Sequence, residues 1–355
     1  MAVFWVNLVI VYIFSLLARC TASMAATGPV FIKPNKLMVF IVTSCLVLIS
    51  GLRNNIGDTF FYMYSYAIND FTWEYILANK DIGFGILQLL LKKISEDAQI
   101  LVFIPALITN LLIVLVFYKY SKQFELSLYV YITSGLYLTS MNGIRQFIAA
   151  AIVFVATKYL LEGRWKKYFL IILFAGTIHQ SALILIPIYF IVRRKAWTWT
   201  TCLLLLSAIV MAMGYNLISG ALFEALGNTQ YGEYKNFSEG GANIMRIAVQ
   251  AAPILLAFLG REKLREIFPN SDYIVNMAIL SVIFLVIATQ NWIFARFNIY
   301  FGLYNLILIS WIVKLFAAKE QKMIYYAILV FYLIYFFYEQ VITLGVRYES
   351  DFIKL

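Results

Sequence analysis

Charged residues are scarce in this chain, and that scarcity excludes most soluble folds. Only 13% of its 355 residues are charged, whereas 63% are hydrophobic. Soluble domains are nearer to a quarter charged and half apolar. No polar stretch is long enough to fold by itself, which excludes a sizeable soluble domain. The composition predicts an all-α polytopic membrane protein with a single transmembrane domain over residues 1–355.

Cysteine and histidine are also rare. The three cysteines, Cys20, Cys45 and Cys202, have neither the number nor the spacing of a disulfide framework or a zinc site. They are interpreted as structural thiols. The only histidine, His179, lies inside apolar sequence. The sequence therefore predicts neither a metal site nor a cofactor.

Ten apolar runs reach membrane-spanning length. They cover residues 3–18, 37–52, 100–118, 126–140, 144–161, 197–215, 244–259, 273–290, 296–314 and 323–342. The first run lacks a basic segment before it, and its first positive charge, Arg19, follows it. This polarity favours a retained helix with its N-terminus outside the cytoplasm over a signal peptide. Residues 168–192 form either one helix or a short hairpin that turns at His179.

The distribution of basic residues favours the hairpin. With a hairpin there are about twelve crossings with both termini outside, and 18 of the 28 basic residues lie on the cytoplasmic side. With a single helix, Arg193–Lys195 would lie outside and the positive-inside bias would collapse. The net charge of +10 thus reflects cytoplasmic loops, and no nucleic-acid partner is expected. The short arms of the hairpin place His179 below the outer surface, in a protein-lined cavity.

Two long loops are predicted on the outer side. Residues 53–99 include Ile82–Lys93, which has the pattern of an interfacial amphipathic helix. The same loop is rich in aromatic residues, which either stack on sugars or form the interfacial belt, and the belt is the favoured interpretation. Residues 216–243 are rich in Gly, Asn, Tyr and Glu, which is typical of a mobile loop or lid.

Four arginines share the outer ends of membrane helices in this topology: Arg53, Arg145, Arg246 and Arg296. The guanidinium fork suits phosphate, and the last three residues also lie at predicted helix N-termini, which favour anions. The set predicts a pyrophosphate site. The alternative is four interfacial arginines that extend toward water.

Asp58 and His179 are candidates for proton transfer. Asp58 lies in a predicted turn five residues after Arg53, where it forms either a salt bridge or a general base. His179 is either a hydrogen-bonded structural residue or a functional one. An arginine and a histidine in apolar sequence are costly unless they have partners.

The chain resembles the EpsG family of bacterial exopolysaccharide proteins, which is similar to Wzy-type polysaccharide polymerases. The resemblance runs over about residues 50–310, and its most specific parts are the Arg-Gln-x-x-Ala and His-x-Ser-Ala blocks. The residues that carry it are Arg53, Gly57–Thr59, Tyr62, Asn142–Ala149, His179–Leu183, Arg296 and Tyr300–Phe301.

This resemblance implies a glycosyltransferase with a GT-C-like fold and an outward-facing active site in the bacterial plasma membrane. It would join undecaprenyl-pyrophosphate-linked oligosaccharides into a biofilm or capsule polysaccharide, alongside a flippase and a chain-length regulator. The implied roles are pyrophosphate binding by Arg53, Arg145, Gln146, Arg246 and Arg296, sugar binding by Tyr62, Asn142 and Gln180, and catalysis by Arg145 with Asp58 or His179 as base.

Two other functions stay open from the sequence. A transporter of polysaccharide or lipid-linked sugar would have polar residues through the full membrane depth, and Asn110, Asn276 and Asn305 fit that pattern. A membrane acyltransferase that modifies polysaccharide would use His179 as its base. Such an enzyme needs a cytoplasmic route for its acyl donor, whereas the predicted topology places His179 toward the outer side.

Overall fold

A computed structural model describes residues 1–24, 32–215, 217, 219, 220, 224 and 240–354. In these residues the chain is almost entirely helical, which confirms the all-α prediction. The strands found there are two residues long: β1 (Ser23–Met24) pairs antiparallel with β2 (Ile32–Lys33). The predicted lid at residues 216–243 lies largely outside the described residues.

The chain divides into two compact units, here called the first and the second unit. The first consists of Met1–Leu185 and Ile309–Leu355, and the second of Ile186–Leu308. The helices up to residue 178 are α1 (Ala2–Cys20), α2 (Lys36–Gly51), α3 (Thr59–Ile68), α4 (Trp73–Ala78), α5 (Ile82–Lys92), α6 (Gln99–Tyr120), α7 (Phe124–Thr133), α8 (Leu136–Asn142), α9 (Ile144–Val155), α10 (Thr157–Glu162) and α11 (Trp165–Ile178). The later helices are α12 (Leu185–Val192), α13 (Trp199–Met213), α14 (Ile244–Leu259), α15 (Arg261–Ile267), α16 (Ser271–Ala288), α17 (Ala295–Ile312) and α18 (Ala318–Phe336).

Six helices in the described part of the chain are long and apolar enough to cross a membrane. They cover Ala2–Cys20, Gln99–Tyr120, Ile144–Glu162, Ser271–Ala288, Trp292–Leu315 and Ala318–Thr343. A seventh span results if α14 and α15, which meet at a bend of 81°, count as one broken span. The shorter apolar helices are Lys36–Gly51, Ile82–Lys92, Gln180–Val192 and Trp199–Met213. About twelve crossings and a GT-C-like fold stay predictions.

The core of the first unit is a bundle around α6. Helix α6 packs against α2 and α9, while α1 packs against α2 and α7. With 22 residues, α6 is about 33 Å long, which matches the hydrocarbon thickness of a bilayer. All ten residues of α7 are buried because other elements of the unit surround it.

The apolar run at 126–140 is two short helices and not the single helix expected. Helix α7 ends at Thr133, and α8 begins at Leu136. Gly135 between them has a φ of +84°, a left-handed conformation that ends the helix and favours glycine. An apolar pattern does not record such a change in backbone conformation, so one continuous run was predicted.

The chain breaks at His179, as predicted. Helix α11 ends at Ile178, His179 is extended with a φ of −153°, and a 3₁₀ turn follows over Gln180–Ile184. Leu183 packs back against Gly176, so the chain folds over the end of α11. The following helix α12 continues past the boundary between the units, and the complete hairpin stays a prediction.

Candidate functional site

The loop that carries the site leaves and re-enters the bundle at one end, here called the site end. The Gln99 side-chain amide donates to the carbonyl oxygens of Gly51 at 2.6 Å and Arg53 at 3.1 Å. These bonds join the end of α2 to the start of α6. Residues 53–98, with the short helices α3, α4 and α5, are therefore fixed to the site end by both of their termini.

Asp81 is the centre of the polar cluster at this end. One carboxylate oxygen, Oδ2, lies 3.0 Å from Arg145 Nη1 and 3.0 Å from His179 Nδ1. The other, Oδ1, accepts from the Gln180 backbone N–H at 3.1 Å. Arg145 and His179, which are costly in apolar sequence without partners, therefore share one carboxylate.

The fold holds Asp81 in this position through α5. Asp81 directly precedes α5, which packs against α11 at a point where Gly83 meets Thr177. A Cβ on Gly83 would lie 2.4 Å from Thr177 Oγ1, so only glycine allows this approach. The contact brings the start of α5 against the end of α11, where His179 and Gln180 follow.

The environment of Asp81 favours its ionised form. Burial by itself raises the pKa of the carboxyl, since only 5% of the side chain is exposed. The hydrogen bond and charge of His179, the charge of Arg145 and the Gln180 N–H outweigh burial and lower the pKa below its usual value. Asp81 is therefore a carboxylate at neutral pH and only accepts hydrogen bonds.

Arg145 is fixed on several sides but still reaches solvent. It lies in the first turn of α9, its Nε donates to the Tyr62 hydroxyl at 3.0 Å, and its guanidinium lies over the rings of Tyr62 and Phe84. The side chain nevertheless keeps 43% of its surface exposed. A guanidinium held this way is preorganised for an anion at the N-terminus of a helix.

A pocket of about 330 Å³ lies in front of this cluster. Among the described residues it is lined by Asp58, Phe61, Tyr62, Ser65, Tyr75, Asn79, Asp81, Phe84, Gly85, Gln88 and Arg145. The lining combines two carboxylates, one arginine, amide groups and aromatic rings, a mixture that fits the hydroxyl groups and apolar faces of a sugar. His179 is not part of this lining, because it is buried behind Asp81.

Asp58 is held at the pocket by Asn142. The Asn142 Oδ1 accepts from the Asp58 backbone N–H at 3.0 Å. Gly57, with a φ of +57°, lies so close that a Cβ there would be 2.1 Å from the same oxygen. Asn142 therefore positions Asp58, and the Gln180 N–H positions Asp81. Both Asn142 and Gln180 were predicted to bind sugar.

Arg53 has a structural position. Only 1% of its surface is exposed, and its guanidinium donates to Thr59 Oγ1 at 3.0 Å and to the carbonyl oxygens of Ser50 and Met141. These bonds join α2, α3 and α8. Burial and these acceptors argue against the expected pyrophosphate contact, because a ligand could reach Arg53 only by breaking them. Three of its five N–H groups are used in this way.

The C-terminal residues 347–351, here called the tail strap, cover the same loop. Tyr348 OH donates to the Ile49 carbonyl at 3.0 Å, and Glu349 N–H donates to Asn55 Oδ1 at 2.9 Å. The Asn54 N–H donates back to the Glu349 carbonyl at 3.0 Å. The strap thus stabilises the segment that connects α2 to α3. Asp58 is the last residue of that segment.

The remaining predicted anion ligands have different positions. Arg246 and Arg296 are in the second unit, in the first turns of α14 and α17 respectively. Arg145 is in the first turn of α9. The prediction that these three arginines lie at helix N-termini is therefore confirmed. Arg296 lies over the ring of Trp292 at 5.0 Å. Gln146 is buried and donates to Ser181 Oγ at 3.4 Å. A common site for all these groups stays a prediction.

The three asparagines that fitted a transporter have internal partners. Asn110 Nδ2 donates to the Ala106 carbonyl at 2.9 Å. Asn276 Nδ2 donates to two backbone carbonyls of the second unit, and Asn305 Nδ2 donates to Gln250 Oε1 at 3.0 Å. Buried amides with such bonds are typical of helix packing in membranes. These residues therefore give no support to a transport path.

Asp81 is the residue of this cluster that the sequence interpretation did not include. It stands in the loop segment Asn79-Lys80-Asp81, where an acid beside a lysine has the pattern of a solvated loop. The usable signal was indirect: Arg145 and His179 both needed a partner of opposite charge or a hydrogen-bond acceptor. Residues 53–99 contain several acids, and only the packing of α5 on α11 selects Asp81.

Comparison with known proteins gives one result. Neither the curated proteins nor the solved structures include a match to this chain. The sequence model of the EpsG family, however, matches residues 36–350, nearly the whole chain. This range includes Arg53, Asp58, Asp81, Arg145 and His179, and it confirms the resemblance seen in the sequence. The chain belongs to the EpsG family.

Proposed function

We propose that this protein is a membrane glycosyltransferase that joins oligosaccharide units carried on undecaprenyl pyrophosphate at the outer face of the bacterial plasma membrane. The observation that carries the proposal is the pocket in which Asp58, Asp81 and Arg145 meet aromatic rings. Membership in the EpsG family supports an exopolysaccharide polymerase, and the six to seven helices of membrane-spanning length in the described part of the chain support a membrane location.

The proposed step is one displacement at the anomeric carbon of the donor sugar. A hydroxyl oxygen of the acceptor oligosaccharide forms the new glycosidic bond, and the bond from the anomeric carbon to the pyrophosphate oxygen breaks. Undecaprenyl pyrophosphate leaves with the electron pair. Asp58, an exposed carboxylate on the pocket wall, accepts the proton of the attacking hydroxyl.

Arg145 stabilises the charge that develops on the leaving pyrophosphate. Its guanidinium is held by Asp81 and Tyr62 before the reaction, so little reorganisation is needed as charge moves to the phosphate oxygens. Asp81, with its lowered pKa, stays ionised and fixes Arg145. His179 lies behind Asp81, and its proposed role is to hold this carboxylate rather than to accept the proton.

Turnover by the purified protein tests the proposal. With a defined undecaprenyl-pyrophosphate oligosaccharide, the wild-type protein should release undecaprenyl pyrophosphate and lengthen the sugar chain. Asp58→Asn should reduce the rate about 10²- to 10⁴-fold, the usual contribution of a general base. Asp70→Asn, which removes an exposed acid from the same loop outside the pocket lining, is the control. Unchanged turnover in Asp58→Asn would refute the assignment of the base.

A deletion strain separates the three functions in cells. Accumulation of single lipid-linked units indicates a polymerase. Polymer retained inside the cell indicates a transporter, and polymer that lacks only acyl groups indicates an acyltransferase. Either of the last two results would overturn the proposed function.

A further inference from the structure

Helix α3 has three faces, and one of them is exposed in the part of the chain that the structure describes. Successive helix residues are about 100° apart around the axis. Phe60, Tyr64, Ile68 and Phe61 therefore lie within one arc of about 100°. All four are exposed, with Phe60 at 64% and Ile68 at 62%. We call these four residues the aromatic arc.

The other faces of α3 have defined contacts, which fix the rotation of the helix. Thr59 and Tyr66 are buried, and the Tyr66 hydroxyl donates to the Ser95 carbonyl at 2.8 Å. Lys92 Nζ donates to the Tyr66 carbonyl at 3.0 Å. Tyr62 and Ser65, between the buried face and the aromatic arc, line the pocket. The aromatic arc therefore points away from the bundle.

We propose that the aromatic arc lies in the membrane interface at the site end, with its rings at the boundary between lipid headgroups and acyl chains. Helix α3 has ten residues, about 15 Å, which is too short to cross a bilayer. It is nevertheless fixed to the site end, because Gln99 ties the end of α2 to the start of α6, a membrane-spanning helix. A helix in this place lies along the membrane surface.

The chemistry of the arc favours lipid over sugar. Phenylalanine and isoleucine offer no hydrogen bonds, whereas a sugar site needs polar groups beside its rings. Such groups occur on the pocket face instead, at Tyr62 and Ser65. Trp73 and Leu77 on α4 are exposed as well and extend the apolar surface. Exposed aromatic residues at the membrane–water boundary are typical of membrane proteins.

The placement of the aromatic arc also determines where the pocket opens. The role of that opening rests on the proposed function. Phe61 belongs both to the aromatic arc and to the pocket lining. The pocket therefore opens beside the lipid, and a donor carried on a polyprenyl chain enters it sideways from the bilayer. A hydrophobic chain that stays in the membrane avoids the cost of exposure to water.

Fluorescence quenching in proteoliposomes tests the placement without any activity measurement. In a background with the three natural cysteines replaced by serine, Phe60→Cys, Tyr64→Cys and Ile68→Cys would each be labelled with bimane. Glu349→Cys is the control, because Glu349 is an exposed acid in the tail strap at the same end. Brominated phosphatidylcholine should quench the three arc labels and spare residue 349, and aqueous iodide should do the reverse. Iodide quenching at all four positions would overturn the proposal.

An activity measurement tests the lateral entry separately. Phe60→Asp should raise the KM for the undecaprenyl-linked donor about tenfold, since it removes a ring from the interface. The KM for a donor with a short, water-soluble lipid should not change. Equal effects on both donors would exclude lateral entry. Absence of turnover in the wild-type protein would refute the proposed function and leave the quenching result unaffected.

Discussion

Arg53 and Arg145 both lie at the site end of the first unit, one just after α2 and the other in the first turn of α9. Arg53 is buried, and its guanidinium donates to Thr59 and to two backbone carbonyls. Arg145 keeps 43% of its side chain exposed and is bonded to a carboxylate and a tyrosine at a pocket wall. Two arginines with the same predicted role thus have different surroundings: Thr59 and two backbone carbonyls hold Arg53, whereas a carboxylate at the pocket wall holds Arg145.

The largest expected effect is on activity when Arg145 is removed. Arg145→Ala should lower kcat about 10²- to 10³-fold, since a preorganised group that stabilises transition-state charge contributes this much. Melting temperature should fall only slightly, because Asp81 keeps its contacts with His179 and the Gln180 N–H. Arg347→Ala, an exposed arginine at the same end, is the control for lost charge. Normal turnover in Arg145→Ala would remove the contrast with Arg53.

Removal of Arg53 should act on stability. Arg53→Ala leaves the carbonyls of Ser50 and Met141 without their donor, which should cost about 3 kcal/mol of unfolding free energy. The measurement is the thermal midpoint and the folded yield in detergent. Protein that does fold should keep the kcat of the wild type. A folded Arg53→Ala variant with wild-type stability but no activity would show that Arg53 acts in the site after all.

Replacement of Asp81 tests whether Arg145 depends on its carboxylate partner for activity. Asp81→Asn keeps the shape but loses the charge that holds Arg145 and His179, so kcat should fall about 10- to 100-fold, as for supporting groups of a catalytic site. Asp81→Glu should be less active than wild type, because the longer side chain cannot keep both 3.0 Å contacts. Equal activity of Asp81→Asn and wild type would show that Arg145 needs no carboxylate partner.

The pH dependence of folding stability tests whether Asp81 is ionised in the folded protein. A lowered pKa in the folded protein means that ionised Asp81 stabilises the fold above the ordinary pKa of about 3.9, and that this contribution is lost as the pH falls through the lowered value. The stability difference between wild type and Asp81→Asn should therefore be constant at neutral pH and shrink in strong acid. Melting curves from pH 7 down to the acid limit of the detergent complex would show this, and a difference that grows in acid would contradict it.

The smallest effect is expected from the tail strap. Tyr348→Phe removes one hydrogen bond, from Tyr348 OH to the Ile49 carbonyl, and should lower the unfolding free energy by about 1 kcal/mol. Activity should change little, since Asp58 is held mainly by Asn142. Tyr64→Phe, at an exposed tyrosine, is the matched control. A large loss of activity in Tyr348→Phe would instead connect the strap to the pocket.

Much of the secondary structure followed from the sequence, because long apolar runs in a chain with few charges have one stable form, the helix. The break at His179 and the helix starts at Arg145, Arg246 and Arg296 were also predicted correctly. The interruption at Gly135 was not, since a single left-handed residue leaves the hydrophobic pattern unchanged. A helix was predicted at Ile82–Lys93 and is observed at Ile82–Lys92, where it packs against α11 and lines the pocket; its interfacial location stays a prediction.

The candidate site was predicted in part. Asp58 and Tyr62, which are close in sequence, line one pocket with the distant Arg145. The contact of Asp81 with Arg145 and the burial of Arg53 were not predicted, for the same reason. The cost of a charge in apolar surroundings shows that it needs a partner, but the identity of the partner depends on which loop packs against which helix end.

The sequence by itself determined that this is a helical membrane protein of the EpsG family and that Arg145 and His179 require partners. Those conclusions depend on composition, on motif blocks and on the cost of burying charge, which are local properties of the chain. Only the tertiary structure decided that Asp81 is the common partner, that Arg53 is internal and that Asp58 lies on the pocket wall. Each of these depends on close contacts between segments distant in sequence, such as Gly83 against Thr177 and Gly57 against Asn142. Packing of this kind is set by side-chain volume and backbone conformation in three dimensions, which no linear pattern records.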